Sequence, residues 1–213
     1  MWQCILIFIV GYLIGSINFS IVVTKYIGKI DIRTVGSGNA GGTNVVRAMG
    51  AKWGITVIVL EALKGIVVGL FAKFIFPVNP FALSDLGPEI TGSIAVLGVL
   101  LGNVFPCWHG FKGGKGVTTC IALIAILNGW SFIILFSLFC VVFLTSRMVS
   151  LGSVIASLGM PVAITIVYHD RENWLWLLLI VSIFALTLIL RHRTNIKRIF
   201  AGTENKFKLW KKD

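Results

Sequence analysis

Residues 174–198 read WLWLLLIVSIFALTLIL followed by RHRTNIKR, which joins seventeen uncharged, mostly apolar residues to a basic segment. As a helix, such a run is about 25 Å long, close to the ~30 Å hydrocarbon core of a bilayer. Lysine and arginine are enriched at the cytoplasmic ends of membrane spans. The stretch therefore predicts a transmembrane helix whose basic end faces the cytoplasm.

The whole chain has the composition of a membrane protein. Of its 213 residues, 57% are hydrophobic and only 13% are charged, which is about half the charged fraction of a soluble globular domain. This composition excludes a disordered chain, a collagen and a disulfide scaffold. Because each crossing needs about 20 residues, the length allows six or seven crossings and no large extramembrane domain. We expect a single polytopic membrane domain over 1–213 whose chemistry depends on short loops.

Seven apolar segments predict an all-α integral membrane protein with about seven transmembrane helices, some of them short. The predicted spans are Cys4–Val23, Trp53–Phe76, Ile90–Phe105, Gly116–Asn128, Ser131–Thr145, Val149–Tyr168 and Trp174–Leu190. The first has neither a basic leading segment nor an Ala-x-Ala cleavage site, so we expect it to be retained and not removed as a signal peptide.

Charge is distributed unequally between the two ends of these spans. The loops 25–52, 106–115, 146–148 and 191–213 fall on one face and hold sixteen of the nineteen basic residues, for a net charge of +13, against −3 on the opposite face. Cytoplasmic loops carry the excess of Lys and Arg, so we expect the N-terminus outside and the C-terminus in the cytoplasm. The basic tail suits anionic lipid, whereas nucleic-acid binding is not expected because no recognisable module is present.

The first cytoplasmic motif loop, 33–52, carries GSGNAGGTN at 36–44, followed by Arg47. Glycines allow several backbone N–H groups to turn into one concavity, and the Ser, Asn and Thr side chains add hydrogen-bond donors. Such a nest suits an anion, and a nearby guanidinium favours phosphate because it can bind two oxygens at once. A flexible loop between helices is the alternative interpretation.

The second motif loop, 106–119, contains FKGGKGVTT at 111–119 and opens directly into an apolar segment. Backbone N–H groups at the start of that helix would hold a phosphate, with Lys115 as the counter-charge. The motif is not a Walker A sequence, because Gly116 stands where Ser or Thr would bind magnesium. Nucleotide hydrolysis is therefore not supported. A tight basic turn is the alternative.

The third motif segment, 191–206, continues from the last span. If the helix extends through it, His192 and Asn195 share one face, with Arg191 and Arg198 nearby. A cluster of positive charge that only orients the span is the alternative. Two anion nests with converging cations indicate two phosphate-bearing ligands, or one large one, at the boundary between cytosol and membrane.

Three segments in this order resemble the bacterial PlsY family of acyl-phosphate:glycerol-3-phosphate acyltransferases. They are GSGNAGGTNVVRAMG at 36–50, FKGGKGVTT at 111–119 and RHRTNIKRIFAGTENK at 191–206. The resemblance implies a seven-helix enzyme of the bacterial plasma (inner) membrane with its active site at the cytoplasmic face. It would transfer a fatty acyl group from a long-chain acyl phosphate to the sn-1 hydroxyl of glycerol 3-phosphate, giving lysophosphatidic acid for phospholipid synthesis. No cofactor, metal or obligate protein partner is implied, and membrane lipids surround the chain.

The resemblance also implies roles for individual residues. It places Ser37, His192 and Asn195 in the catalytic centre, where the last two orient glycerol 3-phosphate. The residues implied to bind substrate phosphate are Asn39, Gly41, Thr43, Asn44, Arg47, Gly113, Gly114, Lys115 and Gly116. Glu204 would give structural support. The proton of the acceptor hydroxyl would pass to His192 or to a phosphate oxygen of the donor, and we favour the donor.

A transporter or flippase for a phosphorylated metabolite or lipid is the alternative function, because it too would need cations and broken helices. Transporters place polar sites near the membrane midplane, whereas here the motifs cluster at one surface. Only Glu61, Lys64 and Lys73 interrupt a span. The spacing of the first two predicts either an ion pair or a contact with the active face, and we favour the pair. Phosphotransfer is not expected because acidic metal ligands are lacking. We therefore expect an enzyme.

Overall fold

The computed structural model describes residues 2–74 and 87–207, and the regular elements in these ranges are all helical. The α-helices are α1 Trp2–Gly15, α2 Phe19–Tyr26, α3 Gly42–Met49, α4 Ala51–Phe74, α5 Gly87–Val104, α6 Val117–Leu127, α7 Gly129–Ser146, α8 Val149–Tyr168, α9 Trp174–Arg191 and α10 Arg193–Phe200. The prediction of an all-α protein is confirmed.

Within the described residues, six helical segments are long and apolar enough to cross a membrane, and α6 is a seventh, shorter apolar helix. Together α1 and α2 form one of the six, Trp2–Tyr26. Most predicted span ends lie within three residues of the observed ones, although the predicted end at Phe76 and the tail beyond residue 207 lie outside the described residues. The eleven residues of α6 extend about 16 Å, in agreement with the prediction that some spans are short.

The first predicted span, Cys4–Val23, is broken into two helices, a feature that the apolar run did not predict. Helix α1 ends at Gly15 and α2 begins at Phe19. The side chain of Asn18 caps α2 by accepting a hydrogen bond from the N–H of Ile21 at 3.1 Å. Asparagine is a favoured residue at this position of a helix, so the break follows from a local signal inside an apolar run.

An ion pair on α4 satisfies the backbone groups that this break exposes. The carboxylate of Glu61 and the ammonium of Lys64 lie 2.7 Å apart, and both side chains are buried, as their spacing predicted. Lys64 also donates to the carbonyls of Gly15 at 3.1 Å and Ile17 at 2.8 Å, and Glu61 accepts from the N–H of Phe19 at 2.7 Å. An unsatisfied backbone group inside a bilayer costs several kcal/mol, so this pair stabilises the break.

Helix α5 lies at the centre of the bundle because small residues let α1 approach it closely. Gly11 and Gly15 of α1 lie against the backbone of α5, and Gly98 and Gly102 of α5 lie against the backbone of α1. A Cβ atom at any of the four would overlap backbone atoms of the other helix. Small residues commonly mediate such close packing between membrane helices. The central position of α5 brings its C-terminal end between the polar motifs.

The three motif segments converge at this end of α5. The N–H groups of Gly113 and Gly114 donate to the carbonyls that end α5, at 3.2 and 3.0 Å, so the second loop folds back on that helix. Gly114 also packs against the first loop, where a Cβ would lie 2.6 Å from the carbonyl oxygen of Ala40. The guanidinium of Arg191 donates to the carbonyl of Gly114 at 3.2 Å. The three segments are therefore joined by direct contacts.

Candidate active site

The motif segments line one cleft with about 1200 Å³ of empty space, its open mouth included. The predicted site residues that line it are Ser37, Asn39, Gly41, Thr43, Asn44, Arg47, Lys115, Gly116, His192, Asn195 and Glu204. Of the other two, Gly113 lines an adjoining opening and Gly114 packs against the first loop. The structure thus brings together residues that are more than 150 positions apart in the sequence.

Asn44 organises the first motif from its centre and is only 2% exposed. Its side-chain oxygen accepts from the N–H of Ser37 at 2.9 Å, and its amide nitrogen donates to three carbonyls of the same loop at 2.9 to 3.1 Å. Gly36 has φ +59° and lies directly against this side chain, where a Cβ would overlap it. The amide hydrogens of Asn44 are therefore used inside the loop.

With the loop held in this way, other polar groups of the first motif remain available to a ligand. The side chains of Ser37, Asn39 and Thr43 line the cleft and form no hydrogen bond with any described residue. Arg47 is exposed on α3 and likewise has no ion-pair partner among the described residues. By contrast, Arg198, on the other side of the cleft, is paired with a carboxylate. Arg47 is thus an uncommitted guanidinium at the cleft.

The second motif offers a different set of groups from those expected. Because the N–H groups of Gly113 and Gly114 bind the end of α5, they are not available to an anion. The groups left at the cleft are the ammonium of Lys115 and the start of α6, where Gly116 is the N-cap with φ +83°. The first N–H groups of a helix have no partner within it and favour an anion.

A chain of hydrogen bonds connects the second and third motifs. Lys115 Nζ donates to Asn195 Oδ1 at 2.5 Å, and Asn195 Nδ2 donates to Glu204 Oε1 at 2.7 Å. The same carboxylate accepts from the hydroxyl of Ser150 at 2.8 Å and from Nε of Arg198 at 2.8 Å. These contacts hold Asn195 in one orientation, with its oxygen toward the lysine and its nitrogen toward the carboxylate.

Burial changes the acid–base properties of this cluster. Burial lowers the pKa of Lys115 to about 8. The negative charge of Glu204 would raise this pKa, but the positive charges of nearby arginines, Arg47 among them, oppose that effect. Burial would raise the pKa of Glu204, but hydrogen bonds from Arg198, Asn195 and Ser150 outweigh it and leave that pKa lowered. The carboxylate is therefore ionised at neutral pH, and an anion bound beside Lys115 would raise the lysine pKa again.

His192 is a neutral imidazole in the wall of the cleft. Burial, together with the charge of Lys115, lowers its pKa to about 4. Its Nδ1 lies 2.8 Å from the carbonyl oxygen of Leu188, and a carbonyl only accepts hydrogen bonds, so Nδ1 carries the proton. Nε2 is then the unprotonated nitrogen of this tautomer. His192 and Asn195 are both buried and line the cleft, although the helix does not continue unbroken through them as the predicted shared face assumed: α9 ends at Arg191 and α10 begins at Arg193.

An apolar groove with about 470 Å³ of empty space joins the polar cleft. Its walls come from α6, α7 and α8, and five residues line both cavities: Val117, Ile121, Phe136, Phe139 and Ser153. Along α7, four phenylalanine rings from Phe132 to Phe143 stack with centroid separations of 5.6 to 6.2 Å. The combined cavity therefore suits an amphiphile with an anionic head and an apolar chain.

Comparison with known proteins agrees with this geometry. A family model described as glycerol-3-phosphate acyltransferase matches residues 5–202. The chain belongs to the glycerol-3-phosphate acyltransferase family. A relative of that name from Endomicrobium trichonymphae is 39% identical and covers 98% of this chain and 98% of its own length. Another, from Chlorobaculum tepidum, is 35% identical and covers 97% of each.

Two solved structures are similar to this acyltransferase over nearly its whole length. Both are crystal structures of PlsY (YgiH), described as an integral membrane glycerol 3-phosphate acyltransferase. The glycerol 3-phosphate form has a TM-score of 0.80 at 34% identity and covers 96% of each chain. The lysophosphatidic acid form has a TM-score of 0.76 at 33% identity and covers 96% of this chain and 95% of its own. The predicted family and enzyme class are confirmed, and the transporter alternative is not favoured.

Sequence reasoning did not single out every polar residue of this acyltransferase cleft. Ser150 binds Glu204, and the sequence signal for it is the segment VSLGS at 149–153, which also resembles the PlsY family. Ser20 also lines the cleft but lies within a predicted span, where a polar residue is easily attributed to helix packing. The roles of the predicted site residues stay predictions, whereas their positions are observed.

Proposed function

We propose that this acyltransferase joins a long-chain acyl phosphate to the sn-1 hydroxyl of glycerol 3-phosphate and releases lysophosphatidic acid and inorganic phosphate. The observation that carries the proposal is the union of an anion-binding cleft with an apolar groove. Both substrates bear a phosphate, which the cations of the cleft can bind, and one bears an apolar chain, which the groove can hold. The relatives named glycerol-3-phosphate acyltransferase support the acceptor.

Two cations of the cleft bind substrate phosphate from opposite walls. On one wall Arg47 acts with the free side chains of Ser37, Asn39 and Thr43. On the other, Lys115 acts with the first turn of α6. Asn44, Gly113 and Gly114 act indirectly by holding the loops in place. Glu204 supports the second wall through Asn195.

Acyl transfer in this cleft needs positioning and charge stabilisation more than a protein nucleophile. The C1 oxygen of glycerol 3-phosphate attacks the acyl carbonyl, the new ester bond forms, and the bond from the carbonyl carbon to the phosphate oxygen breaks. The hydroxyl proton passes to the departing phosphate. A pKa of about 4 makes His192 a weak base, which favours the donor phosphate as the acceptor, with Nε2 of His192 orienting the hydroxyl. Lys115 and Arg47 stabilise the negative charge that develops.

The orientation of the chain follows from its charge. The cleft lies among the segments whose loops carry +13, so the active site opens to the cytoplasm of a bacterial plasma (inner) membrane, with the N-terminus outside. Both phosphorylated substrates are highly polar at their reacting ends, so a cleft at the cytoplasmic surface can take them without moving charge across the bilayer.

The proposed donor is tested with purified protein in detergent and labelled glycerol 3-phosphate. Palmitoyl phosphate and palmitoyl thioester are offered separately, and the lipid product is identified by its mass. We expect lysophosphatidic acid from the acyl phosphate alone. Product from the thioester alone would overturn the proposed donor, and no product from either with folded protein would overturn the reaction.

We predict a basic limit to activity that belongs to Lys115. The ratio kcat/KM for glycerol 3-phosphate should fall above about pH 8, because the free enzyme then loses the charge on Lys115. Initial rates are measured from pH 6 to pH 10 and corrected for hydrolysis of the donor. In Lys115→Arg the limit should move well above pH 8, because arginine stays protonated. A limit that remains near pH 8 in this variant would contradict the assignment.

The apolar groove should set the preferred length of the acyl chain. Ala156 lines the groove on α8, so Ala156→Phe should shorten it and lower the preference for palmitoyl over lauroyl phosphate about tenfold. The matched control is Val162→Phe on the same helix, where the side chain is exposed on the outer surface of the bundle. Equal effects of the two variants on the palmitoyl-to-lauroyl ratio would contradict the placement of the chain.

A further inference from the structure

The buried end of the cleft is polar but contributes to neither the phosphate-binding walls nor the apolar groove. Its floor is formed by Ser20 on α2, Glu61 on α4 and Asn103 near the end of α5. These side chains are only 1%, 3% and 4% exposed, respectively. None of the three lines the apolar groove. Burying polar groups at this depth costs free energy unless they form hydrogen bonds with the protein or with a ligand.

Most polar atoms of the floor already form hydrogen bonds within the protein, and two groups do not: the side-chain oxygen of Asn103 and the hydroxyl of Ser20. Glu61 accepts from the N–H of Phe19 and from Asn103 Nδ2, each at 2.7 Å, and pairs with Lys64. Asn103 Oδ1 accepts no hydrogen bond from the described residues, and the hydroxyl of Ser20 has no partner among them. An unpartnered buried hydroxyl costs about 1 to 3 kcal/mol, so a ligand or a water is expected there.

The chemistry of the floor selects which part of the substrates it can take. A phosphate is disfavoured, because the carboxylate of Glu61 is close and the ammonium of Lys64 is committed to Glu61 and to two backbone carbonyls. An acyl chain is disfavoured because it would leave the polar atoms unsatisfied. A hydroxyl group has the matching chemistry, since its oxygen can accept a hydrogen bond from Ser20 and its hydrogen can be donated to Asn103 Oδ1.

We propose that Ser20 and Asn103 bind the C2 hydroxyl of glycerol 3-phosphate, the hydroxyl that is not acylated. This inference rests on the proposed function. The floor is built from α2, α4 and α5, whereas the groove for the acyl chain is built mainly from α6, α7 and α8. A hydroxyl held at the floor is therefore turned away from the donor chain, and the C1 hydroxyl is left to approach the acyl carbonyl. The floor would thus select both the glycerol backbone and the position of acylation.

The test compares two acceptors that differ only at this position. Values of kcat/KM are measured with glycerol 3-phosphate and with 3-hydroxypropyl phosphate, which lacks the C2 hydroxyl. Wild-type protein should prefer glycerol 3-phosphate, and Ser20→Ala should reduce that preference about tenfold, through a loss with glycerol 3-phosphate and little change with the analogue.

Ser131→Ala is the matched control, because the hydroxyl of Ser131 is also buried and unpartnered among the described residues but does not line the cleft. Its substrate preference should equal that of the wild type. Neither substitution should lower the melting temperature without substrate, since no partner loses a hydrogen bond.

Three results would overturn the inference. Equal loss of activity with both acceptors in Ser20→Ala would give Ser20 a purely structural role. An unchanged preference would assign its hydroxyl to an enclosed water. A wild type with no preference between the acceptors would show that the C2 hydroxyl is not recognised. In all three cases the wild type still acylates glycerol 3-phosphate, so the proposed function stands, whereas a wild type that acylates neither acceptor would remove both.

Discussion

Arg47→Ala should fold and insert normally but transfer acyl groups about a hundredfold to a thousandfold more slowly, the range seen when a charge-stabilising donor is removed from an active site. The guanidinium lines the cleft and has no ion-pair partner among the described residues. Its removal therefore leaves no protein group unpaired, and stability should be unaffected. The loss should fall on the bound phosphate, which would lose a bidentate partner.

One further variant separates the charge of Arg47 from its shape. Arg47→Lys keeps the charge but loses the planar fork, so its activity should lie between those of the wild type and the alanine variant. Lys197→Ala is the matched control: Lys197 is exposed on α10 and lines neither the cleft nor its adjoining opening. Initial rates and thermal unfolding are measured for all three. Normal activity of Arg47→Ala would remove this residue from the site.

The spans could be predicted from sequence where their ends carry local signals. The predicted span Val149–Tyr168 coincides with α8, because its twenty uncharged residues lie between Arg147 and the polar pair His169-Asp170. The break in the first span could not be predicted, because the groups that stabilise it are on another helix. Glu61 and Lys64 are more than forty residues from Phe19 and Gly15, and no local pattern reports such a contact.

The sequence predicted which motifs form the candidate site, but not which of their residues bind the ligand and which hold the loops in place. Glycine, asparagine and threonine serve equally well to bind an anion or to hold a loop, so the residue types at 36–44 do not distinguish the two tasks. The structure uses the amide of Asn44 for the loop and leaves Asn39 open to the cleft. Likewise, the N–H groups of Gly113 and Gly114 complete the end of α5, which depends on tertiary contact and not on spacing.

Glu61→Ala should lower the free energy of unfolding by about 3 to 5 kcal/mol, the usual cost of removing one partner of a buried ion pair. The ammonium of Lys64 would remain buried without its counter-charge. The N–H of Phe19 and the amide of Asn103 would also lose their acceptor. Unfolding in mixed detergent measures the loss. As a control, Glu89→Gln changes the less buried pair with Lys73 and should cost less than Glu61→Ala, because glutamine can still accept a hydrogen bond from the ammonium.

The double variant Glu61→Leu/Lys64→Met tests whether the two side chains interact only with each other or also cap the broken helix. Replacing a buried pair by apolar residues is often neutral or stabilising, so full recovery is expected in the first case. We expect only partial recovery, because the carbonyls of Gly15 and Ile17 would still lack their donor and α2 its acceptor. Full recovery would contradict the capping role. Since α2 also carries Ser20, the double variant should weaken selection for glycerol 3-phosphate over 3-hydroxypropyl phosphate as well.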